Sequence, residues 1–467
     1  MEEPIDPYTN PETSDLVQRY ENLKEHHQPF FFDVDDYEEL IDYYFYWNDQ
    51  AHLNQCINDA LDQHPQSAHI LLKKAQFYLH HQQNDLALQI MEDTDTDNED
   101  DPDLHMLKGN LYSQMDQSIA AIREYKKAIR HSDIPDDVYT NIAFEYENLG
   151  KHDKAIDFLI LALDHNPENE AALYELSFCC EISRQTERII EYLSSFLDRH
   201  PYSKAGWFNL GIAMSNLELY EKAIVAYDYA IAIDESFSSA YFNKANCLAN
   251  LGNYEKAIET YFETFQHEDP EPITFYYVAE CYEKLKRFEF AIEYYKKAIT
   301  LDSEFADAWI GIGISYDELG KPHTGLAYIQ KALKLAPAIP EYWFILGDLY
   351  IRLNRIEEGI IAYRKVIELD PDNPDIWLDL SVVYADRKEY QQAYDTLYEG
   401  LRWHEEHADF HYGLAYYLYM MGKSKQAGEV LAKALEMDFE GHQRLFTTFP
   451  EAKNHPGVIR MIEIHRK

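Results

Sequence analysis

The sequence predicts an all-α fold, a solenoid of antiparallel helix pairs. Three observations carry this expectation. Apolar residues recur at i, i+3, i+4 and i+7, the spacing of one helix face. The pattern returns every 34 residues without a one-residue insertion or deletion. Two positions of each repeat are kept small, which lets paired helix backbones approach closely.

The elements follow in chain order. Residues 1–33 begin with the acidic, proline-rich "MEEPIDPYTNPE" and continue into Leu16, Val17, Tyr20 and Leu23 at helical spacing. They read as a tail and a helix that caps the first repeat. Twelve repeats then fill 34–441, with starts at 34, 68, 102, 136, 170, 204, 238, 272, 306, 340, 374 and 408. The eighth position is small in all but the first (Ala75, Gly109, Ala143, Gly211, Gly313 among them). The twentieth is Ala or Gly except at Leu53 and Ile189. Position 4 is large, including Trp207, Trp309, Trp343 and Trp377, and position 11 is often Tyr, as at Tyr316, Tyr350 and Tyr384. A turn such as "NLG" or "KLK" separates two helices, and "YEKAI" opens the second of them at Tyr220 and again at Tyr254. Prolines at Pro65, Pro167, Pro201, Pro337 and Pro371 stop the second helix before the next repeat. Residues 442–467 leave the register and read as a cap over the last apolar face. The repeat at 170 is the least regular. Ile189 and Phe196 replace small residues at contact positions, which predicts helices pushed apart and a change of superhelical pitch there.

This tryptophan, leucine–glycine, tyrosine, alanine and proline pattern at 34 residues resembles the tetratricopeptide repeat (TPR) family, over residues 34–441. The resemblance implies a right-handed superhelical α-solenoid, with the first helix of each repeat lining a concave groove. It also implies a scaffold for other proteins.

Composition narrows the function. There are 84 acidic against 41 basic residues, a formal net charge of −43. Such a surface repels phosphate backbones and anionic membranes, so nucleic acid is excluded and basic or apolar protein segments are favoured. Cys56, Cys179, Cys180, Cys247 and Cys281 are odd in number and form no CxxC pair, so no disulfide framework or zinc site is expected. Cys179, Cys247 and Cys281 share position 10, which points to packing. With no basic-then-apolar leader and no apolar run long enough to span a bilayer, a cytoplasmic location is expected and membrane insertion is not.

No catalytic constellation is apparent, and neither an enzyme, a cofactor nor a metal is expected. "GIGIS" at Gly311–Ser315 lies inside a helix, and Gly313 is the small packing residue. His404, His407 and His411 span a bend between helices and read as surface histidines. Asp93, Asp95 and Asp97 match the first half of a calcium loop, but Asn98 and Leu104 stand where its Gly and Glu belong, so 92–103 reads as a solvated acidic loop.

Candidate binding residues come from positions 2, 5, 6, 9, 12 and 13 of the first helices, which the TPR resemblance turns toward the groove. They are acidic at both ends of the array (Asp35, Glu38, Asp307, Asp348, Asp375, Asp379 and Asp409, for example). Cations are few: Lys73, Lys284 and Arg352. The middle is uncharged, offering Phe208, Asn209, Asn216, Phe242, Asn243, Asn246 and Asn250, with Asn141 upstream. Asparagine amides donate and accept, so they can hold a peptide backbone whatever its side chains, while Phe gives apolar contact. The run resembles the asparagine ladder of O-linked N-acetylglucosamine transferases, without a transferase domain to follow. The cations of a TPR carboxylate clamp are missing, which argues against an acidic C-terminal tail as ligand. The function expected is a non-enzymatic scaffold that binds an extended or helical partner segment in its groove. The alternative is a structural protein that assembles with itself.

Overall fold

A computed structural model describes residues 11–26, 28–94, 102–130 and 135–466, and among these no strand occurs. The chain divides between Cys247 and Leu248 into two compact halves.

The N-terminal half holds α1 (Pro11–Glu25), α2 (Val34–Tyr46), α3 (Gln50–Gln63), α4 (Ala68–His80), α5 (Asn84–Asp93), α6 (Pro102–Gln114), α7 (Ser118–Ala128), α8 (Pro135–Asn148), α9 (His152–His165), α10 (Glu170–Ile182), α11 (Thr186–Arg199), α12 (Lys204–Asn216) and α13 (Tyr220–Ile233). The division falls inside α14 (Ser238–Asn250). The C-terminal half holds α15 (Tyr254–Thr264), α16 (Pro272–Lys284), α17 (Phe288–Leu301), α18 (Ala306–Glu318), α19 (Pro322–Leu335), α20 (Pro340–Arg352), α21 (Ile356–Leu369), α22 (Pro374–Asp386), α23 (Tyr390–Gly400), α24 (Ala408–Met420), α25 (Ser424–Met437), α26 (His442–Thr448) and α27 (Pro456–His465). From α2 to α25, even-numbered helices are the first of each repeat and odd-numbered helices the second.

Local chemistry sets these helices. Ser67, Asn169 and Ser203 cap α4, α10 and α12 by accepting the backbone N–H of Ile70, Ala172 and Gly206. Between the two helices of a repeat, position 15 takes positive φ throughout, from Asn48 to Gly422. One left-handed residue there closes the first helix and reverses the chain. Only four of these residues are glycine, so packing holds the other eight in a conformation that local sterics disfavour.

Packing then joins the pairs. The small residues meet as expected: Ala143 with Ala155, and Ala279 with Ala291, are buried in hydrophobic clusters of their halves. Gly325 of α19 lies so close to α18 that an added methyl would overlap the carbonyl oxygen of Gly313. Gly313 and Gly311 of "GIGIS" are therefore packing residues, the latter lying against the Tyr295 ring. The position-4 tryptophans do more than fill space. Trp207, Trp309, Trp343 and Trp377 donate their indole N–H to the carbonyls of Pro201, Ser303, Pro337 and Pro371, at 2.8–3.0 Å. Each bond pins the turn that leads into its repeat. His411 stands in the same position and its Nε2 meets the Glu405 carbonyl at 3.3 Å. It is buried, not a surface histidine as its neighbourhood in the sequence implied.

The hairpin at 170 departs from the others. Ile189 and Phe196 are buried between its helices, and α10 and α11 approach each other less closely than the helices of the repeats at 102, 136 and 204. α10 leans instead on α12. The first and last repeats are both covered. α1 buries Val17 and Tyr20 against α2 and α3, with the Tyr20 hydroxyl donating to Asp59 at 2.7 Å. α26 and α27 pack on α24 and α25, and α24 is buried from Phe410 through Tyr419.

Candidate protein-binding face

Within the N-terminal half the first helices α2, α4 and α6, and α8, α10 and α12, lie side by side, as α16 with α18 and α22 with α24 do in the C-terminal half, so their outward positions share a face. In the N-terminal half this face carries an apolar strip. Tyr174, Phe178 and Ile182 stand at i, i+4 and i+8 of α10 and are 41%, 51% and 48% exposed. They occupy repeat positions 5, 9 and 13. Phe144, at position 9 of α8, is exposed as well. Charged and amide groups rim the strip: Glu181 and Asn148 are exposed, Glu147 and Glu175 half-buried. Burial, and then the neighbouring Glu175, push the Glu147 carboxyl up to about 7 against an opposing hydrogen bond with the Cys179 thiol. The thiol is itself pushed up, first by burial.

In the C-terminal half the same face is acidic, and neutral donors hold much of it. Tyr276 donates to Glu280 at 3.0 Å, Tyr295 to Glu283 at 3.1 Å and Tyr342 to Asp307 at 2.6 Å. Tyr363 donates to Asp348. A tyrosine hydroxyl satisfies a carboxylate without cancelling its charge. Burial raises the pKa of Glu280 and Glu283. Burial, followed by the charges of Asp348 and Asp375, pushes Asp379 up to about 6. Two groove cations foreseen in the sequence are engaged within the chain, Arg352 with Asp317 at 2.5 Å and Lys73 with Asp42 at 2.5 Å.

Models of the family described as "Tetratricopeptide repeat" match residues 51–111, 102–130, 136–169, 226–259, 272–305, 310–374 and 362–395. The chain is a tetratricopeptide repeat protein. No curated protein matches it. Among solved structures it is similar to the Cut9–Hcn1 hetero-tetramer of APC/C, at 16% identity and TM-score 0.40, over 90% of this chain and 92% of that one. It is similar to a TPR protein of Parabacteroides merdae at 15% identity and TM-score 0.41, over 50% and 93%. YrrB, "a TPR protein with an unusual peptide-binding site", aligns at 19% identity and TM-score 0.33, over 39% and 95%.

The TPR framework does not place the expected central residues alike. Asn209 is fully buried, at 0% exposure. Its Nδ2 donates to the Ala205 carbonyl at 2.8 Å, and its Oδ1 accepts from Ser177 Oγ at 2.6 Å. This bond between α10 and α12 follows from the lean of α10, and it removes Asn209 from the candidate contacts. Phe208 is withdrawn for the same reason. It is buried against Tyr227 and Phe237, with Tyr174 edge-on at 6.4 Å. Asn141, Phe242, Asn243 and Asn246 are half-buried, and Asn243 Nδ2 donates back to the Ser239 carbonyl at 2.9 Å. Asn216 and Asn250 are exposed.

The sequence pattern does not single out the apolar strip, because the repeat at 170 reads as a distortion of the array. Its signal was present, three large apolar residues at positions 5, 9 and 13 of one first helix. All five cysteines are buried and free, and burial pushes Cys180 up to about 11 and Cys56 to about 12. No group of three or more metal-ligating side chains gathers among the described residues, and no described helix is long and apolar enough to cross a membrane. Asp95, Asp97 and Asn98 of the calcium-like stretch lie outside the described residues.

Proposed function

We propose that this protein is a non-enzymatic scaffold that holds a helical or extended segment of a partner protein on the first-helix face of its N-terminal half. TPR repeats serve protein interaction in general. The observation that carries the finer reading is the strip of Tyr174, Phe178 and Ile182. Large apolar side chains left this exposed on one helix face, with a polar rim, mark a surface that another chain covers. Their spacing suits a partner helix with its own apolar stripe. Asn141 on α8 and Asn216 at the end of α12 offer amides beside the strip, and Phe242, Asn243 and Asn246 extend the supply along α14. The net charge of −43 favours basic or apolar segments over acidic ones.

The test compares proteins captured by the intact chain with those captured by Tyr174→Ala plus Phe178→Ala. Both side chains are half-exposed, so the variant should keep the helical signal and melting temperature of the parent. Specific partners should be lost from it. Unchanged capture would refute the reading. If the strip is covered by a second copy of this chain, sedimentation will show a concentration-dependent mass that the variant lacks.

A further inference from the structure

We infer that the C-terminal half carries a separate docking site, a recess over α22 that receives a cationic amphipathic helix of a partner protein beside α26. The chain supplies the template for this contact. α26 lies on the last first helix, α24, and its Arg444 pairs with Asp409 at 2.9 Å and with Asp438 at 2.7 Å. Leu445 of α26 is buried, and Phe449, just past its end, stacks on Tyr416 at 4.2 Å. A helix with arginine followed by apolar residues thus already covers one repeat.

The preceding repeat repeats the position-2 carboxylate of this acceptor without the occupant, with His404 where the last repeat has Asp438. Asp375 is 34 residues before Asp409 and takes the same place, position 2, on α22. Asp379, one helical turn further, is a second carboxylate where the last repeat has Gly413. Among the described residues no cation is paired with Asp375 or Asp379. Beside them lies a recess of about 450 Å³ whose apolar lining includes Phe344, Leu378, Val382 and Phe449. Its volume is in the range of cavities that hold ligands. Phe449 and Arg444 form its wall on the α26 side. Burial and the charges of Asp348 and Asp375 disfavour the ionised Asp379 carboxylate, so an arriving cation relieves a repulsion built into the fold. An anionic or purely apolar guest would leave it in place. The partner is therefore a segment with Arg or Lys one residue ahead of an aliphatic side chain and five residues ahead of an aromatic one, the order of Arg444, Leu445 and Phe449.

The probe is a fluorescein-labelled, alanine-based helical peptide. It carries arginine, leucine and phenylalanine at that spacing, with lysines on its outer face, and is titrated into the full chain by anisotropy. Saturable binding is expected, weakened about tenfold or more by Asp375→Asn plus Asp379→Asn and retained by Tyr174→Ala plus Phe178→Ala. Leu378→Lys, which places a cation in the recess, should abolish it. A peptide with glutamate in place of its cations should not bind. The proposal is overturned if no saturable binding occurs, if the double asparagine variant binds as the parent does, or if the strip variant is the one that loses the peptide. Melting temperatures of all variants separate these outcomes from unfolding.

Discussion

Glu147 links packing to pH at the scale of one residue. Its carboxyl is raised from 4.5 to about 7, chiefly by burial. A carboxyl raised in the folded state binds its proton more tightly there than in the unfolded chain. The stability it contributes is fully present below the unfolded pKa and is lost as pH rises through about 7. The melting temperature should therefore fall between about pH 5 and pH 8, and Glu147→Gln should flatten that fall and raise the value at the alkaline end. Thermal melts across the range decide it; a parent profile that rises with pH would contradict the assignment. Asn209 makes a second residue-scale case. Asn209→Ala removes the tie between α10 and α12 and leaves the half-buried Ser177 hydroxyl only its weaker bond to the Leu173 carbonyl, so a loss of about 1 kcal/mol is expected by chemical denaturation. Partner binding should be unchanged once folded protein is compared, because Asn209 has no exposed surface. A binding defect at full stability would return it to the candidate contacts.

At the scale of the element, the hairpin α10–α11 explains both what sequence reasoning missed and what it misplaced. Ile189 and Phe196 at contact positions announced a disturbed pair, and the structure shows α10 drawn toward α12. The consequence was not legible. Whether a position-6 asparagine faces a partner or a neighbouring helix depends on how Ser177, 32 residues upstream, approaches it, and no local pattern encodes that distance. Nor can periodicity alone tell an exposed Phe178 from a core one, since both recur at helical spacing. The turns were partly legible. "NLG" marks Gly150 as the left-handed residue, but Arg184, Glu218 and Lys286 adopt the same conformation without a glycine to announce it. The tryptophan bonds to the turns belong with these. Trp207 reads as bulk in the sequence, and its tie to Pro201 appears only in three dimensions.

At the scale of the whole molecule, the all-α repeat class was legible because it rests on contacts between near neighbours in sequence. Small residues at positions 8 and 20 meet within one hairpin, and each hairpin then meets the next. Each half presents a face of first helices, and the two faces differ in character. The N-terminal one offers Phe144, Tyr174, Phe178 and Ile182; the C-terminal one offers carboxylates held by tyrosines. The acidic half was visible in composition, whereas the recess needed α26, which follows the repeats and sits back on α24. The scaffold reading rests on the N-terminal face. Site-specific photocrosslinking tests it most directly, with a benzoylphenylalanine placed at Phe178 and, as a control, at Val225, an equally exposed residue of the second helix α13. In extracts of the native source the account predicts a discrete partner adduct from position 178 and none from 225. Adducts from 225 alone, or equal adducts from both, would contradict it.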